Sequence, residues 1–445
     1  MGDKILEKET NKESVAFSEL FREPISILKN ENLLNARHVP DKIVARDAQK
    51  LAIANNLSAI LRHGEPSNMY IWGDTGVGKT ITVKYVLNVL QDGLKSQAKD
   101  ILIDSVIIDC TAIRSEILAC TEILTQLTGI QMKSGFQFYY YLNDIWEIID
   151  KKAKEHSFYT LILFFDEINS FDSPDDILYQ FSRALSHQKI QSSNVAIGII
   201  AASNKKDYLE ELRPNVLSSA KFRYIDFPNY NENELYEILQ SKKEAFVDGA
   251  LSDDMIRYCA KNVADRYHGD ARHAIDILYE AAKIVIQREG TKITREYLDE
   301  AEKVVNDRVT LEMLKRIPLH DRLLIFAVYI ANKVMKQTNA KVSPHTGIVL
   351  LAYRKICEII DQRPNGDTYV SGRIKALDNE QILHAEFIKG RGNTKYITVA
   401  NDVEAVIYTL FTEADLQRIE DDYCDLEAII LAKTKRQAVT QLNLF

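Results

Sequence analysis

The stretch that most constrains this chain is Gly73-Asp74-Thr75-Gly76-Val77-Gly78-Lys79-Thr80, which meets the phosphate-loop pattern G-x-x-x-x-G-K-[ST] at every fixed position. Ahead of it, Asn68-Met69-Tyr70-Ile71-Trp72 is a short apolar run suited to a buried strand. Behind it, Ile81 to Leu90 spaces its apolar residues for a helix. Strand, loop and helix in that order are the context the motif needs. Glycines let the backbone turn successive N–H groups toward an anion, and the helix N-terminus adds its partial positive charge. Gly73, Asp74, Thr75, Gly76, Val77, Gly78, Lys79, Thr80 and Ile81 are therefore the expected nucleotide cradle. In it Lys79 reaches the β- and γ-phosphates and the Thr80 hydroxyl ligates Mg²⁺.

Downstream, apolar strands alternate with helical segments. Ser105–Cys110, Thr160–Phe165 and Val195–Ala202 read as strands. Helices are expected at about 48–62, 115–128, 136–155 and 271–287. The alternation implies a parallel sheet covered on both faces. The second chemical motif, Asp166-Glu167, ends the Thr160–Phe165 strand. In an open parallel sheet, strand ends of this kind face the same crevice as the phosphate loop. Asp166 is expected to help hold Mg²⁺, and Glu167 to orient or deprotonate an attacking water. Asn204 follows the third strand. Its amide could bond a γ-phosphate or the lytic water, or simply shape a turn. Arg272, in Gly269-Asp270-Ala271-Arg272, could reach the γ-phosphate from a separate helical segment, or lie on a helix surface.

Composition excludes several classes. No run of 18 uncharged apolar residues exists, so no membrane span is expected, and Met1–Thr10 lacks an apolar signal region. The five cysteines form no C-x-x-C pair, which excludes a zinc ribbon and suits a reducing cytoplasm. The net charge of −8 disfavours nucleic acid, but it is uneven. Residues 310–400 carry 14 Lys+Arg against 8 Asp+Glu, so a basic module is attached to an acidic body.

The order Gly73–Thr80, Leu161–Glu167, Ser203-Asn204, Gly269–Arg272 resembles Walker A, Walker B, sensor 1 and sensor 2 of an AAA+ ATPase. Val39-Pro40 with Arg46-Asp47 resembles the adenine-side box. Pro214–Ser219 and Ile225–Tyr230 resemble the archaeal origin-recognition/cell-division-control replication initiators. The resemblance covers roughly residues 20–415. It implies an α/β fold: an AAA+ parallel-sheet ATPase domain with an α-helical lid, followed by a C-terminal winged-helix domain. It also places Arg46 and Tyr230 at the nucleotide. The expected division is a disordered tail at 1–18, the nucleotide-binding domain at 19–230, the lid at 231–306, the winged helix at 307–418 and a tail at 419–445. Two positions depart from the family pattern. Asn215 stands where an arginine would project toward a neighbour's nucleotide, with Arg213 and Arg223 the available substitutes. Asn169 stands where an Asp is commoner.

In the C-terminal third, helix-like segments at 310–336, 343–361 and about 369–380 precede two strands, Ile382–Phe387 and Lys395–Val399, joined by a basic glycine-rich turn. Three helices and a basic hairpin describe a winged helix, a module used on DNA and also for protein contact. On DNA, Arg373 and Lys375 are expected on the major-groove helix, and Arg391 and Lys395 on the wing. The last five residues, Gln441-Leu442-Asn443-Leu444-Phe445, resemble the peptide accepted by sliding clamps, or are an apolar end packed on its own domain. These features imply a replication initiator that binds ATP/ADP and Mg²⁺ and hydrolyses ATP slowly. Origin DNA, the replicative helicase, other initiator copies and a sliding clamp are its expected partners, in the cytoplasm at the nucleoid. A clamp-loader-like AAA+ subunit and an ATP-switched DNA-binding regulator are the alternatives.

Overall fold

The computed structural model describes residues 26–35, 43–96, 100–132, 135–337, 344–380, 382–387 and 395–442. The expected tail at 1–18, Arg391 on the wing and Asn443–Phe445 lie outside the described residues. The chain divides into two compact units, Met1–Ala301 and Glu302–Phe445.

The first unit is built on five strands: β1 (Met69–Trp72), β2 (Ile101–Asp109), β3 (Phe158–Asp166), β4 (Val195–Ser203) and β5 (Arg223–Asp226). All pair in parallel, in the order β2-β3-β4-β1-β5. The strand β3 explains itself. Tyr159, Leu161, Leu163 and Phe165 enter the core on one face of the sheet. Phe158, Ile162 and Phe164 enter the core on the other. With both faces covered, the run needs no polar alternation. Register levels the strand ends, pairing Trp72 with Ser203 and Asp109 with Asp166. The loops after β1, β3 and β4 therefore open on one edge of the sheet, where crevices form in this architecture.

The flanking helices are α1 (Asp47–Leu57), α2 (Lys79–Ser96), α3 (Glu116–Thr128), α4 (Phe138–Glu155), α5 (Asp175–Arg183) and α6 (Pro214–Ala220). The helix expected at 48–62 tightens into a 3₁₀ turn over Ser58–Arg62. At nine and seven residues, α5 and α6 are too short for their periodicity to be read in advance. The lid helices follow: α7 (Glu232–Ser241), α8 (Asp253–Arg266) and α9 (Ala271–Gln287). Each begins on a side-chain cap, Asn231 with Glu234 in a capping box, then Ser252, then Asp270.

The division between the units falls within α10 (Arg295–Arg316), a few residues before the boundary expected at 306/307. The single helical segment expected at 310–336 is broken by Pro318, after which α11 (Leu319–Gln337) begins. Next come α12 (Thr346–Ile359), α13 (Asp367–Asn379) and the antiparallel hairpin β6 (Leu383–Phe387) and β7 (Lys395–Val399). The helices α14 (Asn401–Val406), α15 (Glu413–Asp421) and α16 (Tyr423–Leu442) close the unit. Here one expectation is corrected. Residues from 419 onward are not a tail, because Ile419, Leu426 and Ile430 are buried in the C-terminal core. Leu426 and Ile430 share a helix face at i, i+4 spacing, and the helix runs on through Gln441 and Leu442. Among the described residues no helix is long and apolar enough to cross a membrane.

Candidate nucleotide site

The loop Gly73–Thr80 joins the end of β1 to the start of α2, as the motif requires. The Lys79 side chain is buried, and its Nζ donates to the carbonyls of Gly73 (2.7 Å) and Asp74 (2.9 Å). It also stands 3.8 Å from Glu167 Oε1. Thr80 Oγ1 donates to Asp166 Oδ2 at 2.7 Å, which joins the phosphate loop to the acidic strand end across β4. Asp166 Oδ1 is buried with no hydrogen-bond partner. A buried carboxylate oxygen aimed at nothing is costly, and a cation beside it would remove that cost.

Burial sets the charges here. It raises Asp166 above the ordinary carboxylate range, against the lowering effects of the Thr80 bond and the Lys79 charge. It raises Glu167 likewise, with Lys79 and Arg272 opposing and Asp166 reinforcing. It lowers the Lys79 amine, with Glu167 and Asp166 opposing. Glu167 holds a left-handed backbone, φ 55°, which turns the chain sharply away from β3.

Of the other sequence-expected residues, Arg272 acts on this crevice. Arg272 is an exposed residue in the first turn of α9, and its charge acts on both Glu167 and Lys79. Asn204 is exposed just beyond β4, on the strand beside β1. The buried Ser203 hydroxyl under it donates to Asn169 Oδ1 at 2.8 Å and accepts from the Lys205 amide at 3.0 Å. Asn169 thus serves as a strut for the strand end. Arg46 is 4 % exposed. It donates to the carbonyls of Val77 (3.0 Å) and Pro228 (2.5 Å). Its guanidinium lies 3.7 Å from the Tyr230 ring centre. One side chain so ties the phosphate loop to the segment entering the lid.

Asp270 was not anticipated as a site residue. Its carboxylate caps α9 through the His273 amide at 3.0 Å and lies against Gly76. A methyl group at Gly76 would overlap that carboxylate, and the Gly76 backbone is left-handed, φ +75°. The Ala271 amide donates to the Gly76 carbonyl at 3.2 Å. The lid therefore rests directly on the phosphate loop. The Gly-Asp dipeptide ahead of Arg272 is the available signal, an N-cap two residues before a site arginine.

Arg213, one substitute for the missing trans arginine, is engaged within its own chain. Its amide bonds Asp175 Oδ1 at 2.8 Å, and its guanidinium pairs with Asp175 and Asp176. Arg223 is exposed on β5.

In the C-terminal unit Lys375 is exposed on α13, and Lys395 opens β7 half-buried. Arg373, expected on the major-groove helix, lies on α13 and is engaged within the chain. Its Nε and Nη2 grip both oxygens of Asp321 at 2.6–3.0 Å, and Asp321 is 1 % exposed. A planar guanidinium fork matches a carboxylate, and a buried carboxylate demands such a partner.

Comparison with known proteins gives consistent matches. Residues 69–228 match the family model of ATPases associated with various cellular activities (AAA), and residues 236–303 match the Cdc6 AAA+ ATPase-type lid domain. The chain is 33 % identical over 380 residues to an ORC1-type DNA replication protein of Thermococcus kodakarensis, covering 83 % of this chain and 88 % of that one. It is 31 % identical over 395 residues to the corresponding protein of Pyrococcus furiosus, covering 86 % and 90 %. The solved structure of the Aeropyrum pernix ORC1 protein in complex with DNA superposes with a TM-score of 0.72 at 25 % identity, covering 88 % of this chain and 99 % of that one.

Proposed function

The chain belongs to the family of ORC1-type DNA replication proteins, and from that premise we propose that it is an ATP-switched initiator that binds origin DNA and recruits or loads the replicative helicase. The observation that carries the ATP half is the Thr80–Asp166 bond with the orphaned Asp166 Oδ1 beside it. The hydroxyl and the two carboxylate oxygens form a hard-oxygen donor set that fits Mg²⁺. Thr80 and Asp166 would hold the ion, which when bound neutralises charge on the phosphate oxygens.

The chain's own groups do the rest. Lys79 gives up its contacts with the Gly73 and Asp74 carbonyls to meet phosphate oxygens, exchanging neutral partners for charged ones. Glu167, freed from Lys79 by that move, orients or deprotonates the attacking water. Its raised pKa brings a carboxylate closer to the range a base needs at neutral pH. Arg272 adds charge from the lid, so lid position and phosphate occupancy are linked. Hydrolysis is slow and regulatory in this reading, because no arginine stands at Asn215 and, of the two substitutes, Arg213 is held in its own chain and only Arg223 is left exposed.

The DNA half rests on the solved relative in complex with DNA and on the net basic charge of residues 310–400 in an acidic chain. Origin duplex, the helicase and further initiator copies are the partners in this reading, with the protein nucleoid-associated. The C-terminal residues Gln441–Phe445 are a candidate sliding-clamp contact. The test of the ATPase site uses two variants. Lys79→Ala should lose ATP binding, and Glu167→Gln should keep it while turnover stops. Equal turnover in Glu167→Gln and the parent overturns the role of Glu167. Footprinting on the organism's own origin, with protection absent there, overturns the initiator reading.

A further inference from the structure

We propose that residues 26–35 are a strap that fastens the lid over the nucleotide, so that peeling them off speeds nucleotide release. The inference rests on the nucleotide-switch reading above. The segment precedes the phosphate loop in sequence, yet it docks on the lid. Leu28 forms an antiparallel bridge with Phe246. The Lys29 and Asn30 amides both donate to the Ala245 carbonyl, at 2.7 and 3.2 Å, and the Val247 amide donates to the Ile27 carbonyl at 2.9 Å. Ile27, Leu28 and Leu34 are buried. Lys29 Nζ meets Asp248 Oδ1 at 2.7 Å in the solvent. Asn30 caps a 3₁₀ turn over Glu31–Leu34, and Glu31 Oε2 accepts from the Tyr279 hydroxyl of α9 at 3.3 Å.

Three observations make this docking a fastening of the lid. First, the lid is pinned at its entry. The Tyr230 hydroxyl lies where a Gly78 side chain would stand, and the Tyr230 backbone lies where a Gly269 side chain would stand. A body pinned at one place can turn about it, and a second attachment away from that place resists the turn. Residues 245–248 and Tyr279 supply that second attachment. Second, the strap reaches the helix that matters. Tyr279 follows Arg272 by two turns of α9, whose first turn rests on Gly76 through the Ala271 amide. Holding Tyr279 therefore holds Arg272 toward the crevice. Third, the same stretch of chain reaches the phosphate loop eleven residues after Asn35, where Arg46 donates to the Val77 carbonyl at 3.0 Å. Lid and loop are thus tied by the chain on two routes, one through Tyr230 and one through the strap. Asn231, Ser252 and Asp270 cap the lid helices from within the lid, so releasing the strap does not remove their caps.

The test loads the full chain with a fluorescent ADP and follows its release after a chase of unlabelled ADP. Lys29→Asp turns the exposed ion pair into a repulsion and touches no buried residue. It should speed release about two- to five-fold at unchanged melting temperature, as an exposed pair allows. Lys29→Asp combined with Asp248→Lys restores the pair and should restore the parent rate. Ile27→Ala combined with Leu34→Ala removes two buried anchors and should speed release by about ten-fold or more. Release at the parent rate in both Lys29→Asp and the Ile27→Ala, Leu34→Ala variant overturns the strap, and a lower melting temperature in the latter would then leave a packing role alone. Faster release in Lys29→Asp that the charge exchange does not reverse overturns it as well. A parent that retains no ADP overturns the nucleotide reading on which the strap rests, which is a different result.

Discussion

Gly76→Ala is the perturbation that most directly tests whether the lid rests on the phosphate loop. Three costs add. A non-glycine residue in left-handed backbone costs roughly 1–2 kcal/mol. The new methyl overlaps the Asp270 carboxylate, and relieving such overpacking costs about 1–3 kcal/mol. Moving α9 away breaks the bond from the Ala271 amide to the Gly76 carbonyl, about 1 kcal/mol. The expected total is roughly 3–6 kcal/mol. Both tryptophans, Trp72 and Trp146, lie in the first unit, so urea unfolding followed by tryptophan emission reports on that unit. Asp270→Gly alone removes the cap of α9 and costs about 1 kcal/mol at most, since Gly itself is tolerated at N-cap positions. In the double variant the overlap term disappears while the backbone term stays. The two substitutions should therefore couple by about 1–3 kcal/mol, the double being more stable than the sum predicts. Additivity within about 0.5 kcal/mol would refute the contact.

Two further outcomes are expected. Burial raises the folded-state pKa of Asp166 above its unfolded value, so ionisation penalises the fold. That penalty is absent below the unfolded pKa, grows as pH rises toward the folded pKa and is complete above it. Asp166→Asn should accordingly raise the melting temperature measured without Mg²⁺ at neutral pH, by less as pH falls, and abolish Mg²⁺-dependent stabilisation by ATP. A lower melting temperature at neutral pH would contradict this. For the chain end, deleting Gln441–Phe445 should abolish micromolar binding to the organism's sliding clamp at unchanged melting temperature, whereas ending the chain before Tyr423 should cost several kcal/mol by exposing the sites filled by Leu426 and Ile430. Unchanged clamp binding with a lower melting temperature in the five-residue deletion would leave the packing role alone.

By itself, the sequence determined the features whose physics is local. A phosphate loop is a backbone shape made by contiguous residues, so Gly73–Thr80 is legible wherever it occurs, and β1 and α2 follow from its flanks. The strand β3 and its terminal acids are legible because a strand buried on both faces is apolar without interruption. The helix α9 was legible to its last residue, because its apolar period is long and a cap precedes it. What only the tertiary structure decided is which partner each polar group takes. Arg46 reaches across 31 residues to Val77 and 182 to Pro228, and Thr80 reaches across 86 to Asp166. The same holds for Arg373, whose carboxylate partner Asp321 stands 52 residues earlier. The helices α5 and α6, and the helical end of the chain at α16, were hidden for a related reason. Short or mixed segments carry too few periods to show a face, and the surface that buries them belongs to residues far away in the chain.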